Sequence, residues 1–206
     1  MKLNNSAKYL LQLVIVNCLL SVGFCCSAQT SSPATVNEWK RYELSTGAFS
    51  VLLPREPVEM RLPPQSTTVP LDQYSYSVVT DKAMFITTRT LIGVAAEKWS
   101  ATADAAFYDG FWDAFSASMN KQMEANKLPY KTNLLERKKA SLSGHAAQEM
   151  IFTVGALQGR VLITRIGRHA FVAAVLRPET TAIEEVEKFF SSFTISESWL
   201  STHQPS

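Results

Sequence analysis

The hydrophobic period of this chain changes once along its length, and that change restricts the fold more than any motif does. From about Ser100 to Asn126 there is no proline, and Phe107, Phe111, Phe115, Met119 and Met123 recur every fourth residue, joined by Tyr108 and Trp112. This spacing predicts a long helix with one broad apolar stripe. At about 100° per residue, Asp109, Asp113, Asn120 and Glu124 fall opposite the stripe and are expected to face solvent. Gly110 lies on the polar side, where it predicts at most a mild bend. A one-faced helix needs a second layer to cover it, and the segments on either side supply one.

Those flanking segments alternate as strands do. Trp39 to Leu44, the turn signal Ser45-Thr46-Gly47 and Phe49 to Leu53, closed by Pro54 and Pro57, read as a hairpin. Val58 to Leu62 precedes a Pro63-Pro64 break, and Gln73 to Val79 with Ala83 to Arg89 form a second pair rich in aromatic and β-branched residues. Beyond the helix, strands are predicted at Tyr130 to Arg137, Gln148 to Val154, Arg160 to Ile166 and Ala170 to Leu176, with turns at Ser141-Leu-Ser-Gly144 and Gly167-Arg168. The last strand is apolar at every position, as expected inside a sheet covered on both faces. After Pro178, Thr181-Ala-Ile-Glu184 matches a capping box, and Ile183, Val186, Phe189, Phe190 and Phe193 share one arc of a closing helix. The expected fold is α+β, a central antiparallel sheet of about six or more strands covered by the long middle helix and the C-terminal helix in an α/β/α layering.

Cys18, Cys25 and Cys26 all lie in an apolar N-terminal run that follows Lys2 and Lys8 and ends at Ser27-Ala28-Gln29. Cys26 and Ala28 fit the small positions of a secretory cleavage site, so residues 1–28 are expected to be a cleaved signal. A retained membrane helix is weakened by Gln12 and Asn17, and lipid attachment at Cys25 or Cys26 by Phe24 before Cys25. Residues 29–37, rich in Ser, Thr and Ala, read as a flexible leader, 38–196 as a single domain, and 197–206 as a polar tail holding Trp199. The product is then a cysteine-free periplasmic or extracellular domain without a transmembrane segment, held together by apolar burial rather than disulfides. Its oligomeric state is left open.

Cleavage also changes the charge. The whole chain carries a formal +2, and the loss of two lysines with no acidic residue leaves zero. A neutral average argues against nucleic-acid binding, which needs a strongly basic face. The triple run Arg137-Lys138-Lys139 reads as a solvated strand end or turn.

Some landmarks resemble a known group. Gly47-Ala-Phe-Ser-Val-Leu-Leu-Pro-Arg-Glu-Pro57 resembles an opening shared by many exported bacterial proteins. Leu176-Arg-Pro178 through Phe189-Phe-Ser-Ser-Phe-Thr-Ile195 is similar to their closing strand, proline, helix and Phe-x-x-Ser-Phe element, and Gly144 followed by Glu149 resembles the turn and strand before their last hairpin. On these residues the chain resembles the PsbP-like fold group, a central antiparallel sheet between helices. The resemblance implies fold and export, and a prior for binding over catalysis, because the group contains non-catalytic assembly and binding proteins. No family site residue carries over.

The chemistry available is narrow. His145, His169 and His203 are the only histidines; His145 and Glu149 fall on a turn and strand rather than one helical face, His169 reads as an exposed turn residue, and His203 lies in the tail. There is no Gly-x-Ser-x-Gly elbow, no Ser-x-x-Lys signature and no glycine-rich phosphate loop. Asp72, Asp81 and Glu149 offer no reason to be chosen as a catalytic pair. The candidate binding surface is therefore Tyr42, Tyr74, Tyr76 and Tyr130 on strands, with Arg160 and Arg165, alongside Arg168, on one hairpin.

The expected function is an exported, non-catalytic binding or accessory domain of the bacterial cell envelope, with a protein partner there and no cofactor or metal. A hydrolase would need two or three ionisable groups converging in one deep pocket. A carrier of small apolar ligands would need a dry cavity between the long helix and the sheet, and Phe111 and Phe115 would abolish it by filling that space.

Overall fold

The structure, a computed structural model, describes residues 38–61, 73–92, 101–179 and 183–203. The signal, the leader, the Pro63-Pro64 break and Thr181 of the capping box lie outside the described residues. Ten strands and three helices are described: β1 (Lys40–Leu44), β2 (Phe49–Leu53), β3 (Val58–Arg61), β4 (Gln73–Val79), β5 (Met84–Leu91), α1 (Ala101–Ala125), β6 (Thr132–Leu142), β7 (His145–Val154), β8 (Leu157–Ile166), β9 (His169–Pro178), α2 (Ile183–Ser192), β10 (Thr194–Ile195) and α3 (Glu197–His203). No described helix is long and apolar enough to cross a membrane.

Seven strands form one antiparallel sheet in the order β3-β4-β5-β9-β8-β7-β6. The chain meanders through β3, β4 and β5, crosses by way of α1 to the far edge, and returns through β6, β7 and β8 until β9 pairs with β5. A 25-residue helix spans about 37 Å, and the four strand spacings from β5 to β6 need only about 19 Å, so α1 reaches across with length to spare. It continues through Gly110 without interruption.

Because β9 is central, both of its faces are covered. Phe171, Ala173 and Val175 join one core; Ala170, Val172 and Ala174 join the other. On the second face lie Phe107, Phe111, Phe115 and Met119 of α1, packed with Met150, Phe152, Val161 and Ile163, while Asp109, Asp113 and Glu124 of the same helix are exposed. The α+β class and the layered central sheet expected from the sequence are thus what the structure has.

The other face is covered less simply than the sequence implied. The first hairpin pairs as expected, with Leu44 opposite Phe49 and residues Ser45, Thr46 and Gly47 all at positive φ. Yet it forms its own three-stranded sheet, β1-β2-β10, because Thr194 and Ile195 pair with Ser50 and Phe49. Phe49 stacks on Phe193 at 5.0 Å and meets Phe171 of the large sheet edge-on at 6.2 Å, so the small sheet is a lid over the main one beside α2. Residues 197–203, read as the start of a polar tail, are the helix α3, with Trp199 and Leu200 buried. His169 is also corrected: its exposure is 4% where a turn histidine was expected to be open, because its ring packs edge-on against Trp199 at 4.9 Å. His203 is no loose tail residue either, since its ring stacks on Trp199 at 4.1 Å.

Candidate functional site

The residues singled out from sequence do not converge. Tyr76 is buried, and its hydroxyl accepts the Ser45 backbone N–H at 2.8 Å, pinning the first hairpin's turn to β4. Tyr74 is half-buried, with the Arg89 guanidinium 4.7 Å above its ring, and Tyr42 packs partly buried against the same core. Tyr130 stands apart, 46% exposed, its ring lying where a Cβ on Gly155 would be. Three of the four tyrosines are therefore packing residues of one core, as aromatic positions on strands commonly are.

Arg165 points to α1 instead of to a ligand. Its Nε and Nη2 donate to Asp104 Oδ1 at 3.0 and 2.5 Å, and its Nη1 to the Gly167 carbonyl at 2.9 Å. Tyr108 sits beside this pair, and its phenol titrates above the ordinary tyrosine value of about 10: burial raises it most, Asp104 adds to the rise, and Arg165 partly opposes it. A raised value favours the neutral phenol in the fold, so its contribution to stability is complete below about pH 10 and is lost as pH rises through the raised value. An ultraviolet difference titration is expected to show one late-ionising tyrosine that disappears in Tyr108→Phe. If the signal lost in that variant ionises at or below the ordinary value, this account of the Asp104 pair is wrong.

Arg160 does lie in a site. On the face of the main sheet under α2, cross-strand register aligns three rows: Lys138, Glu149 and Leu162; then Ile151, Arg160 and Val175; then Gln158 and Arg177. All of these but Leu162, together with Ile183, Val186 and Glu187 of α2, line a cleft of about 270 Å³. Glu149 is 4% exposed; Arg160 Nε donates to its Oε1, and Lys138 Nζ lies 3.5 Å from its Oε2. Arg160 Nη1 reaches Glu187 on α2 at 2.5 Å, and its guanidinium lies 4.6 Å over the Phe190 ring. The Lys138 ammonium is held charged to above the ordinary lysine range, first by its bond to Glu136 and then by the Glu149 carboxylate. Arg177, 9% exposed, donates to Gln158 Oε1 at 2.7 Å and to the carbonyls of Pro178 and Glu179 at 3.2 and 3.0 Å.

Sequence reasoning passed over most of this cleft. Lys138 belonged to a run expected to be solvated, Glu149 had no partner in sight, and Arg177 was read only as part of a closing motif. The available signal was alternation: Glu149 shares a strand face with Ile151, so it points to a covered side where a carboxylate needs a partner. Only the register of β7 against β8 shows that Arg160 is that partner.

The space between α1 and the sheet is filled. Phe111 is 1% and Phe115 7% exposed, their rings stack 6.0 Å apart, and Phe115 meets Phe152 edge-on at 5.0 Å. The residual cavity beside Phe115 and Met119 is about 20 Å³, too small for an organic ligand. Among the described residues there is no chamber there of the kind that a carrier of apolar ligands would need. Among the described residues no group of three or more His, Cys, Asp or Glu is placed to hold a metal ion.

No protein-family model matches the sequence, and no curated protein matches it. Solved structures do. The chain is similar to the solution structure of cyanobacterial PsbP (CyanoP) from Synechocystis, at 11% identity over 82% of this chain and 99% of that one, with TM-score 0.48. It is also similar to a crystal structure from Bacteroides thetaiotaomicron, at 10% identity over 78% of this chain and 50% of that one, TM-score 0.41. A third is a protein of unknown function from Pseudomonas aeruginosa, at 12% identity over 74% of this chain and 96% of that one, TM-score 0.31.

Proposed function

We propose that this chain is a non-catalytic binding or accessory domain exported to the bacterial cell envelope, and that the cleft between α2 and strands β6 to β9 is where it recognises its ligand or partner. The observation that carries the proposal is how the cleft's charges are spent. Both carboxylates, Glu149 and Glu187, are bound by Arg160, and Glu149 also by Lys138. Carboxylate oxygens that accept charge-assisted bonds from neighbouring cations are held in place and turned toward those partners, whereas a general base must present an oxygen to the substrate's proton. The lining residues named above include no serine, threonine, cysteine or histidine to act as a nucleophile or proton shuttle. Export is supported by the N-terminal pattern of Lys2, Lys8, an apolar run and small residues before Gln29.

One observation favours the hydrolase alternative: five ionisable side chains do converge in one cleft. The two readings part on turnover. Native mass spectrometry of the protein purified from its own cell envelope is expected to give a chain starting at Gln29 that retains added ligand or subunit mass. An unprocessed chain recovered from the cytosol would overturn export. Hydrolysis of an ester or glycoside panel that disappears in Glu149→Gln would overturn the non-catalytic role.

A further inference from the structure

Strand β6 is 11 residues long, the longest described, and among the described residues the main sheet ends at it, with β7 on one side and no strand on the other. The other edge strands, β3, β1 and β10, have four, five and two residues. A long edge invites pairing, because half of its N–H and C=O groups point outward, and proteins ordinarily shorten or cover such edges. Residues 133–136 are all exposed, and Leu135 leaves 59% of its surface open. Register divides the charges of β6 between two faces. Glu136 and Lys138 lie opposite Ile151 and Glu149, which line the cleft, and Lys138 Nζ is 3.3 Å from Glu136 Oε1. Arg137 lies opposite Met150 on the α1 face and is bound by Asp109 of that helix.

We propose that two copies of this chain pair β6 against β6, antiparallel, about a two-fold axis at Arg137, joining their main sheets into one. The charges choose this register. Residues facing each other across antiparallel strands share a face, so the axis passes through a residue. With Arg137 on the axis, Glu136 of each copy lies opposite Lys138 of the other, giving two unlike pairs that hold the strands together. The two Arg137 side chains meet on the α1 face, each bound by its own Asp109. An axis at Glu136, Lys138 or Lys139 sets that charge opposite its like and takes Glu136 away from the second copy's Lys138. Arg137 is also the middle residue of Thr132–Leu142, so the strands overlap along their whole length. Leu135, the extra residue of the bulge between Leu134 and Glu136, falls beside the aliphatic stem of the second copy's Lys139 and leaves the centre of the pairing regular. Because Lys138 also lines the cleft, Glu136 of the second copy stands at the cleft's rim. A lipid surface is a poorer occupant of this edge, since hydrocarbon would leave the outward N–H and C=O groups without partners. The pairing is independent of what the cleft binds.

Without residues 1–28 the chain has no cysteine, so an introduced one reports register directly. The mature chain, made with its own signal, is expected to sediment as a dimer at about 100 μM and to dissociate on dilution to about 1 μM, as befits a small interface. Arg137→Cys is expected to oxidise to a disulfide dimer, because facing residues bring their Cβ atoms to about 4.5–5.5 Å. Leu135→Cys and Lys139→Cys are each expected to stay uncross-linked alone and to form a mixed disulfide together. Glu136→Lys, at an exposed position where the fold is not at risk, is expected to weaken the dimer at least about tenfold, since two unlike pairs become like ones. A monomer at about 100 μM, the absence of an Arg137→Cys disulfide, cross-linking of Lys139→Cys alone, or a dimer unmoved by Glu136→Lys would each overturn the proposal. An unlike subunit that co-purifies and shields Arg137→Cys from oxidation would overturn the second copy as the occupant of this edge.

Discussion

Gly159→Ala is expected to destabilise the domain by about 3 kcal/mol or more, at the upper end of what overpacking a core does. A Cβ built at Gly159 falls 2.1, 2.4 and 2.5 Å from three ring atoms of Phe152, its cross-strand neighbour on β7. Phe152 is 2% exposed and cannot retreat freely, because Phe115 lies edge-on to it at 5.0 Å and the tilted Trp112 ring at 5.8 Å. In an ordinary strand the same substitution would help by roughly 0.5–1 kcal/mol, since glycine loses the most backbone freedom on folding. The sign is therefore decided by contact with one ring. Urea denaturation followed by tryptophan fluorescence and circular dichroism reads the loss. Adding Phe152→Leu to Gly159→Ala is expected to restore part of it, giving a coupling of opposite sign to two independent losses. A single-variant loss below about 1 kcal/mol would mean that the ring relaxes cheaply and that β8 is not locked to α1 through this pair.

Trp199→Ala is expected to cost about 3–5 kcal/mol, the range for truncating a large buried aromatic. Trp199 is 7% exposed and belongs to the core under the small sheet, with polar and charged groups against its ring as well: the Arg89 guanidinium lies 4.8 Å over it, His203 stacks on it at 4.1 Å, and His169 meets it edge-on at 4.9 Å. The His169 ring nitrogen lies 3.3 Å from the His203 carbonyl, and His145 Nε2 lies 3.0 Å from Glu197, so each histidine of the chain touches α3. Arg89 is 2% exposed, sandwiched between Tyr74 and Trp199 while its Nε donates to Ser45 at 2.6 Å. Removing the indole takes one π face from a buried cation. A chain ending at Ser196 is expected to lose at least as much as Trp199→Ala in a thermal melt. Retention of full stability by that shortened chain would make α3 an appendage and return residues 197–203 to the role of a tail.

The two substitutions show where the sequence was informative. The stripe of α1, the doubly apolar β9 and the Ser45-Thr46-Gly47 hairpin were legible because each is a local pattern: period and turn chemistry depend on residues a few positions apart. Gly159 was not, since nothing near it in sequence says that Phe152 will lie across from it. Trp199 was read as a lone aromatic in a polar stretch, because its partners Arg89 and His169 are distant in sequence. The same limit hid the cleft. Alternation places Glu149 on a covered face, yet whether that face meets valine or arginine depends on a register set by the Leu157 and Val154 turn end of β7 and β8.

By itself, then, the sequence determined that residues near 39–196 form strands and two one-faced helices layered as α+β, because periodicity dictates which faces must be buried. Tertiary structure alone decided that the first hairpin leaves the main sheet to pair with β10, that Lys138, Glu149, Arg160 and Arg177 share one cleft, and that α3 closes the core with Trp199. The physical reason is that burial is a property of a face, which a short segment specifies, whereas charge pairing and strand partnership are properties of contacts between segments far apart in the chain.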